Sequence, residues 1–500
     1  MSNEGLLENG YFKDVNLLSV KTPSLATRAT SWCADVLRLE LWSTTPSASS
    51  ETPPRRASLS QQNGPQPAPL RRTAYLDGLR GFAAFLVYLM HHELWAHDSA
   101  DDVFQHAYGY QGKRHFITLP FVRTFFSGGH LAVSVFFVLS GYVLSCKPLR
   151  LIQAGEYLQL SDNMASALFR RWLRLHIPVI GTTFAYITFL HLFHIHAVPD
   201  PQGSYGWEVW NWYTELKNFT FVFRSGGDPW FSYNFHSWSI PIEFRGSLVI
   251  YTSLMAFSRC TRNARLLCEL GLIYYFLYIA DGWFCALFMS GMVISDLDQL
   301  SVNRDLPRWM YDLEPYKHII FPVLFVMSLY LGGVPSFSYD MNELIDAPGW
   351  YYLSYLKPQA VFDYKWYFLW WGATLLVASV RHLPWLKRFF ETRVNRYLGR
   401  ISFSFYLMHG PILWTLGDRV YAAVGFTREQ HAINCPNWIN RLPLKKNGPL
   451  GLEPAFFLSQ VVILPTTLWL AEIVTRLFDE PSLRFVSWLH KKTLGPPSKA

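Results

Sequence analysis

The sequence predicts an all-α integral membrane protein, a polytopic bundle of about ten transmembrane helices. Half of its 500 residues are hydrophobic, and only 16% are charged. Aromatic residues make up 17% of the chain, a density typical of proteins with aromatic belts at both membrane surfaces. From about Leu76 onward, polar connectors separate apolar stretches close to the roughly 20 residues that cross a bilayer as a helix. The lipid bilayer is therefore the expected surroundings of the chain.

Ten stretches have the composition expected of membrane-spanning helices. They are residues 78–97, 129–146, 175–196, 238–257, 266–281, 283–295, 318–334, 364–380, 401–417 and 455–475. The fifth and sixth stretches are short and nearly touch at Asp281–Gly282, so one bent hairpin is an alternative to two crossings.

The chain divides into three predicted regions. Residues 1–71 contain a run rich in Ser, Pro and Gln and lack a basic region followed by an apolar core. We therefore expect a disordered cytosolic tail without a cleaved signal peptide. Residues 72–485 form the predicted membrane domain, and residues 486–500 form a short cytosolic tail.

Basic connectors predict the orientation of the helices. With the first tail in the cytosol, Arg and Lys concentrate in alternate connectors, whereas residues 334–363 are richer in Asp and Glu. We therefore expect both termini in the cytosol of an endomembrane or plasma-membrane protein. Asn218 begins an Asn-Phe-Thr sequence on the non-cytosolic side, which makes it a candidate N-glycosylation site.

Charge and cysteine patterns disfavour several other classes. Basic residues fall in short clusters rather than in one long run, which argues against nucleic acid as a partner. The six cysteines form no CxxC pair and no Cys/His metal spacing, so neither a bound metal nor a disulfide framework is expected. We expect no bound cofactor.

Ionisable residues inside the first span indicate a functional cavity. A charge at the bilayer centre costs several kcal/mol unless it faces protein or water. Arg80 and His91 are almost three helical turns apart, so they share one helix face at a separation of about 16 Å. Asp77 is one turn before Arg80 and can hold its guanidinium, whereas His92 points away. A packing role between helices is the alternative interpretation of His91.

Glu243 in the fourth span lies at a depth similar to that of His91, measured from the opposite membrane face. A buried carboxylate requires a partner, and an imidazole at the same depth would serve. A surface pair with Arg245 is the less favourable alternative, because residues two apart on a helix do not face each other.

Two other spans carry candidate binding groups. Arg171 and Arg174 are one turn apart at the start of the third span. They form either a phosphate-sized clamp or an ordinary positive anchor at the membrane surface. His409 lies about two turns into the ninth span, just before Pro411, and helix packing is its alternative role.

Six motifs in a fixed order resemble the membrane acyltransferase-3 family, and the resemblance covers about residues 72–485. They read LDGLRG followed by His91, FFVLSGYVLS, FRRWLR, WSIPIE, LGRISFSFYLMHGPI and FDEPS. Their order, spacing and placement on successive spans make the match specific.

The resemblance implies an enzyme that moves an acyl group, often acetyl, from cytosolic acyl-CoA to a hydroxyl of a sugar or small molecule. A secondary metabolite is one such acceptor. The family's first-helix pattern falls on Arg80 and His91, and its paired-arginine pattern falls on Arg171 and Arg174. The resemblance implies that both patterns contribute to the use of acyl-CoA. The long aromatic loop 197–237 suits stacking on a sugar or an apolar metabolite.

Helix geometry and the resemblance combine into one mechanistic hypothesis. The acyl-CoA phosphates bind Arg171, Arg174 and Arg80, and the thioester reaches His91 deeper in the membrane. His91 accepts the proton of the acceptor hydroxyl, while Glu243 orients it or stabilises its charged form. The candidate oxyanion or acceptor contacts are Trp238, Ser140, Tyr406 and His409.

Two other functions fit some of the same features. A proton-coupled small-molecule transporter also places ionisable residues inside its spans. The two halves of the chain show no internal repeat, however, and no matching pair of broken helices. A non-catalytic membrane scaffold or lipid-binding protein would not need Arg80 and His91 on one helix face.

Overall fold

The structure of the chain, a computed structural model, describes residues 73–97, 105–201, 203–223 and 229–495. The predicted tail at residues 1–71 lies outside these ranges. Within them the regular elements are all helical, and no β-strand occurs. The described part of the chain therefore confirms the predicted all-α class.

The bundle is built from helices joined by short helical turns and loops. In chain order they are α1 Ala74–Ala96, α2 Gly129–Ala154, α3 Tyr157–Leu192, α4 Tyr205–Phe219, α5 Ser239–Phe257, α6 Arg262–Tyr274, α7 Trp283–Val302, α8 Lys317–Gly332, α9 Tyr364–Val380, α10 Pro384–Phe390, α11 Arg393–Ile412, α12 Asp418–Val424, α13 Pro454–Val474 and α14 Glu480–Thr493. One π-turn follows each of α6, α11 and α13, at Tyr275–Ile279, Leu413–Gly417 and Thr475–Asp479.

Five helical stretches are long and apolar enough to cross a membrane. They are Gly129–Ala154, Tyr157–Leu192, Trp283–Val302, Glu314–Gly332 and Pro454–Thr493. The other predicted spans also fall on helices, but these helices are shorter or more polar. The number of ten crossings therefore stays a prediction.

The outer surface of the bundle is apolar at several of these helices. On α8 the side chains of Ile319, Val323 and Val326 are exposed, and on α13 Val461 is 68% exposed. Side chains of this kind are stable outside a protein core when lipid surrounds them. The exposed faces therefore suit a protein embedded in a bilayer.

The third predicted span begins much earlier than the sequence pattern suggested. Helix α3 has 36 residues and places Arg171 and Arg174 near its middle, not at its start. Its first half buries Leu160, Met164 and Ala167, which follow one helix face. This amphipathic face continues the helix through residues that we expected to form a polar connector.

Helices α1 and α11 touch backbone to backbone. A Cβ on Gly81 would lie 2.3 Å from the backbone nitrogen of Gly399, and a Cβ on Gly399 would lie 2.2 Å from the backbone oxygen of Asp77. Such distances leave no room for a side chain, so glycine is required at both positions. The contact fixes the position of α1 along α11.

This contact makes the stability of the protein sensitive to substitution of Gly399. Gly399→Ala places a methyl group against backbone atoms, and we expect a loss of about 1–3 kcal/mol in the free energy of unfolding, typical of overpacking. Thermal unfolding of the purified protein in detergent measures the effect. The matched control is Gly271→Ala in α6, where a Cβ would meet nothing within 4 Å. Equal melting temperatures for Gly399→Ala and the control would contradict the contact.

Candidate active site

Three imidazole rings meet inside the bundle. His91 belongs to α1 and His409 to α11, while His236 lies in the turn Ser232–Trp238 before α5. His91 Nδ1 is 2.8 Å from His409 Nε2. The His236 ring stacks on the His91 ring with 3.9 Å between centroids. His236 and His409 are buried, whereas His91 is partly exposed, so one ring of the cluster is accessible.

Arg80 and His91 both face α11. Arg80 donates a hydrogen bond of 3.0 Å to the backbone oxygen of Gly399, and His91 pairs with His409 further along the same helix. The two helices run parallel, because residue numbers rise in the same direction along both. His92 is fully buried and hydrogen-bonds outside this cluster.

The backbone of α11 determines which nitrogen of His91 is free. His409 Nδ1 lies 2.6 Å from the backbone oxygen of Tyr406, and a carbonyl oxygen only accepts, so Nδ1 carries the proton. Nε2 of neutral His409 is then an acceptor, and His91 Nδ1 donates to it. His91 Nε2 is therefore unprotonated, and no described residue hydrogen-bonds to it.

Pro411 opens the backbone of α11 beside the cluster. Proline has no N–H, so the Leu407 oxygen lacks its usual helical donor, and Asn234 Nδ2 donates to it at 2.9 Å. Gly410 adds the space for this contact, because a Cβ there would lie 2.8 Å from His236 Nδ1. The turn that carries Asn234 and His236 therefore packs directly on α11.

Two buried polar atoms beside the cluster lack a hydrogen-bond partner among the residues described. They are His236 Nδ1 and Asn234 Oδ1. A buried polar atom without a partner costs about 1–3 kcal/mol. These atoms suit a site in which a bound molecule or water completes the hydrogen bonds.

The structure pairs Glu243 with Arg171 and not with His91. The carboxylate accepts hydrogen bonds of 2.5 Å from Arg171 and from Ser140, and Arg171 also donates to Ser247 at 2.9 Å. The expected Glu243–His91 hydrogen bond is not formed in the described structure. The difference arises because α3 begins earlier than predicted and Arg171, near its middle, reaches the Glu243 carboxylate.

Arg174 and Arg80 both lie near Asp479. Arg174 is exposed, and it interacts electrostatically with Arg171, Arg80 and Asp479. Arg80 also contacts Asp77 at 3.3 Å, and its side chain is 42% exposed. Arg171 is only 11% exposed and is bound to Glu243. Arg174 and Arg80 therefore present accessible guanidinium groups at this end of the bundle, whereas Arg171 does not.

The remaining predicted contacts have other partners. Tyr406 donates to the backbone oxygen of His236, and its hydroxyl is 2.8 Å from Ser239 Oγ. Trp238 is half-buried and packs edge-on against Trp366, with 6.0 Å between ring centroids. The structure brings Tyr406 close to the histidine cluster. Ser140 instead donates to Glu243, and Trp238 packs on Trp366.

Sequence reasoning missed His236, Asn234 and Asp479. His236 lies two residues before Trp238, the first residue of WSIPIE, and Asp479 belongs to FDEPS, so both had a local signal. These two residues belong to the site through contacts between helices that are distant in sequence. A local motif does not specify such contacts. No local motif indicates Asn234. Its role follows only from Pro411, which leaves the Leu407 oxygen without a helical donor.

The histidine cluster has the composition of a metal site but an unsuitable geometry. Ring nitrogens of His91, His236 and His409 lie within 4.8 Å of one another. The stacked His91 and His236 rings are within 13° of parallel. Their in-plane lone pairs therefore lie in separate planes and do not converge on one ion at the 2.0–2.1 Å that imidazole–zinc bonds require.

A second group of potential ligands is held by hydrogen bonds instead. Asp418, His431 and Cys435 are buried and lie close together. His431 Nδ1 accepts from the Arg428 backbone N–H at 3.1 Å, so in the neutral ring Nε2 donates to Asp418 at 2.9 Å. Arg428 also pairs with Asp418 at 2.6 Å. These contacts occupy both ring nitrogens of His431 and one carboxylate oxygen of Asp418. The predicted absence of a metal stays a prediction.

Comparison with known proteins identifies the family. The family model described as "Acyltransferase domain" matches residues 73–472. O-acetyltransferase PaAT-1 of Phomopsis amygdali is 30% identical over 85% of this chain and 86% of its own length. Acyltransferase R4 of a Phoma species is 22% identical over 72% of this chain and 86% of its own length. Acyltransferase clz18 of Cochliobolus lunatus is 24% identical over 70% and 85%, respectively.

No solved structure matches the chain significantly. The family match extends over most of the chain, and the relatives align along most of their own lengths. The chain therefore belongs to the membrane acyltransferase-3 family, and it is an acyltransferase that transfers groups other than aminoacyl groups.

Proposed function

We propose that the protein transfers an acyl group, in particular acetyl, from cytosolic acyl-CoA to a hydroxyl of a small molecule or saccharide. The observation that carries this proposal is the free Nε2 of His91 at the end of the Tyr406–His409–His91 hydrogen-bond chain. An unprotonated imidazole nitrogen of this kind is a general base. The relative named as an O-acetyltransferase supports acetyl as the group and oxygen as the acceptor atom.

The reaction uses one base in two steps. As the acceptor oxygen attacks the thioester carbon, a C–O bond forms and the hydroxyl proton moves to His91 Nε2. The tetrahedral intermediate then breaks its C–S bond, and His91 returns the proton to the departing CoA sulfur. No covalent acyl-enzyme and no bound cofactor are needed, because acyl-CoA itself is the co-substrate.

His409 acts as a positioning residue for His91. In catalytic triads a carboxylate fixes the tautomer of the base through its Nδ1–H. Here His409 Nε2 accepts that hydrogen bond at 2.8 Å, and the Tyr406 carbonyl in turn fixes His409. Because His409 is neutral, it selects the tautomer without adding a negative charge beside the base.

The donor binds at the end of the bundle that carries Arg80 and Arg174. These guanidinium groups are accessible and suit the phosphates of acyl-CoA. Arg171 instead neutralises Glu243 and stabilises the wall between α3 and α5. By helix rise, Arg80 lies about 16 Å from His91, a distance that an extended pantetheine arm spans.

This arrangement requires the arginine end to face the cytosol, where acyl-CoA is available. Both termini are then cytosolic, in an endomembrane or the plasma membrane, as the basic connectors predicted. The acceptor approaches the histidines from a different side. The matches to acyltransferases favour transfer over the proton-coupled transport alternative.

The base and its positioning residue give different mutational results. His91→Ala removes the base, and we expect transfer from labelled acetyl-CoA to fall by about 10²–10⁴-fold. His409→Leu removes the acceptor for His91 Nδ1–H, so kcat falls while the KM for acetyl-CoA is unchanged. His409→Gln retains a side-chain oxygen that accepts this hydrogen bond and therefore retains most of the activity.

The control for these variants is His92→Gln, which alters a buried neighbour outside the cluster and leaves kcat close to that of the wild type. Each variant is checked for membrane insertion and melting temperature. Equal loss of kcat in His409→Gln and His409→Leu would contradict the tautomer role. Full activity of purified His91→Ala would contradict the base role.

The two neighbouring arginines separate donor binding from stability. Arg174→Ala removes a charge-assisted contact worth about 1.5–3 kcal/mol, so the KM for acetyl-CoA rises by roughly 10–100-fold at an unchanged melting temperature. Arg171→Ala leaves the Glu243 carboxylate without its cation and lowers the melting temperature.

The double variant Arg171→Ala/Glu243→Gln removes the unpaired charge and recovers part of that stability. Steady-state kinetics and thermal unfolding of the same preparations distinguish the two roles. An effect of Arg171→Ala on the KM alone, with no loss of stability, would contradict the assignment.

A further inference from the structure

A groove with a volume of about 520 Å³ opens next to the histidine cluster. Its lining residues are Glu215, Asn218, Trp230, Ser232 and Phe235. The volume falls within the range of about 300–1,000 Å³ that small-molecule sites occupy. Neither the family motifs nor the proposed base accounts for these residues.

The groove lies close to the proposed catalytic base. The Phe235 ring lies 4.2 Å from the His236 ring and 4.8 Å from the Trp414 ring, measured between centroids. His236 in turn stacks on His91 at 3.9 Å. The rings of Phe235 and His236 therefore lie between the groove and His91, and these two ring contacts place the groove near the cluster.

The groove lining contains a fixed carboxylate. Glu215 accepts hydrogen bonds from the Ser232 backbone N–H at 2.9 Å and from Ser232 Oγ at 2.7 and 2.8 Å. These bonds hold the carboxylate in place but leave lone pairs for further donors. Asn218 is exposed one helical turn later on α4 and adds an amide. Together they suit hydroxyl groups on a ligand.

Two residues of the groove lining, Trp230 and Phe235, are aromatic. Trp230 is 59% exposed, and its ring is 6.3 Å from that of Phe235 at an angle of 50°. The indole face is therefore open to a ligand, and an exposed indole next to a second aromatic ring is a stacking surface. Aromatic and polar side chains in one groove suit a molecule with an apolar face and hydroxyl groups.

We propose that this groove binds the acyl acceptor, a ring-containing molecule with an apolar face and more than one hydroxyl group. The proposal rests on the proposed function, because it places one acceptor hydroxyl near His91. The apolar face stacks on Trp230 and Phe235, and a second hydroxyl donates to Glu215. A sugar bearing an apolar group and a rigid polycyclic alcohol share this chemistry.

This assignment conflicts with glycosylation of Asn218. The side-chain nitrogen that would carry a glycan belongs to a residue of the groove lining. A glycan at that position would occupy the space assigned to the acceptor. The active protein therefore carries an unmodified Asn218, even though the residue begins an N-glycosylation sequence.

A thiol-protection experiment tests the groove directly. Asn218→Cys places a thiol in the lining, and its labelling by a fluorescent maleimide is followed in the full-length protein. The probes are p-nitrophenyl β-D-glucoside, a sugar with an apolar group, and estriol, a rigid ring system with three hydroxyls. At a probe concentration ten times its Kd, simple occupancy slows labelling about tenfold.

Two controls make the result specific. Lys217→Cys lies on the same helix, is exposed and is not part of the groove lining, so neither probe should slow its labelling. Wild-type protein measures labelling of the native cysteines. Adding Trp230→Ala to Asn218→Cys should abolish protection by either probe.

The result with each probe has a defined meaning. Protection by the glucoside supports a saccharide acceptor, and protection by estriol supports a polycyclic one. Protection by neither probe at millimolar concentration, or equal protection of Lys217→Cys, overturns the groove assignment.

The proposed function is tested separately by hydrolysis of acetyl-CoA without an acceptor. This activity should depend on His91 and remain unchanged in Lys217→Ala, which lies outside the groove lining. Protection without His91-dependent hydrolysis would preserve the binding site but reject the acyl-transfer mechanism.

Discussion

The hydrogen bond between His91 Nδ1 and His409 Nε2 is the interaction on which the proposed chemistry depends. It forms because α1 and α11 run parallel and touch at Gly81 and Gly399, where backbone atoms leave no space for a side chain. This contact fixes how far α1 and α11 are shifted relative to each other along their axes. The Tyr406 carbonyl then fixes the proton on His409, so the geometry of the backbone determines the protonation of the base.

The bundle separates its buried charges from this base. Glu243 on α5 is bound to Arg171 on α3 and Ser140 on α2, so its negative charge is neutralised between these three helices. The base instead has a neutral partner in His409. A neutral pair avoids the cost of placing another unpaired charge in a low-dielectric interior. Arg174 and Arg80 remain accessible for an anionic donor, so donor binding and proton transfer use different groups.

Periodicity predicted the helices better than it predicted their partners. The apolar stretches located the helical segments, and the 3.6-residue repeat placed Arg80 and His91 on the face that contacts α11. The predicted contact of Glu243 with His91 was wrong because Arg171, near the middle of the longer α3, binds the carboxylate instead. His236 was missed because its stacking on His91 depends on a turn between distant helices. Local sequence predicts which face of a helix carries a residue, whereas the partner of that residue on another helix depends on tertiary packing.

The tautomer of His91 is the most direct test of this account. Nitrogen NMR of histidine-labelled protein in lipid nanodiscs at neutral pH resolves protonated from unprotonated ring nitrogens, and a His91→Gln spectrum assigns the His91 signals. The account predicts a proton on His91 Nδ1 and a free Nε2. A proton on Nε2 in the resting protein would contradict it, because that nitrogen would then have no lone pair to accept the acceptor's proton.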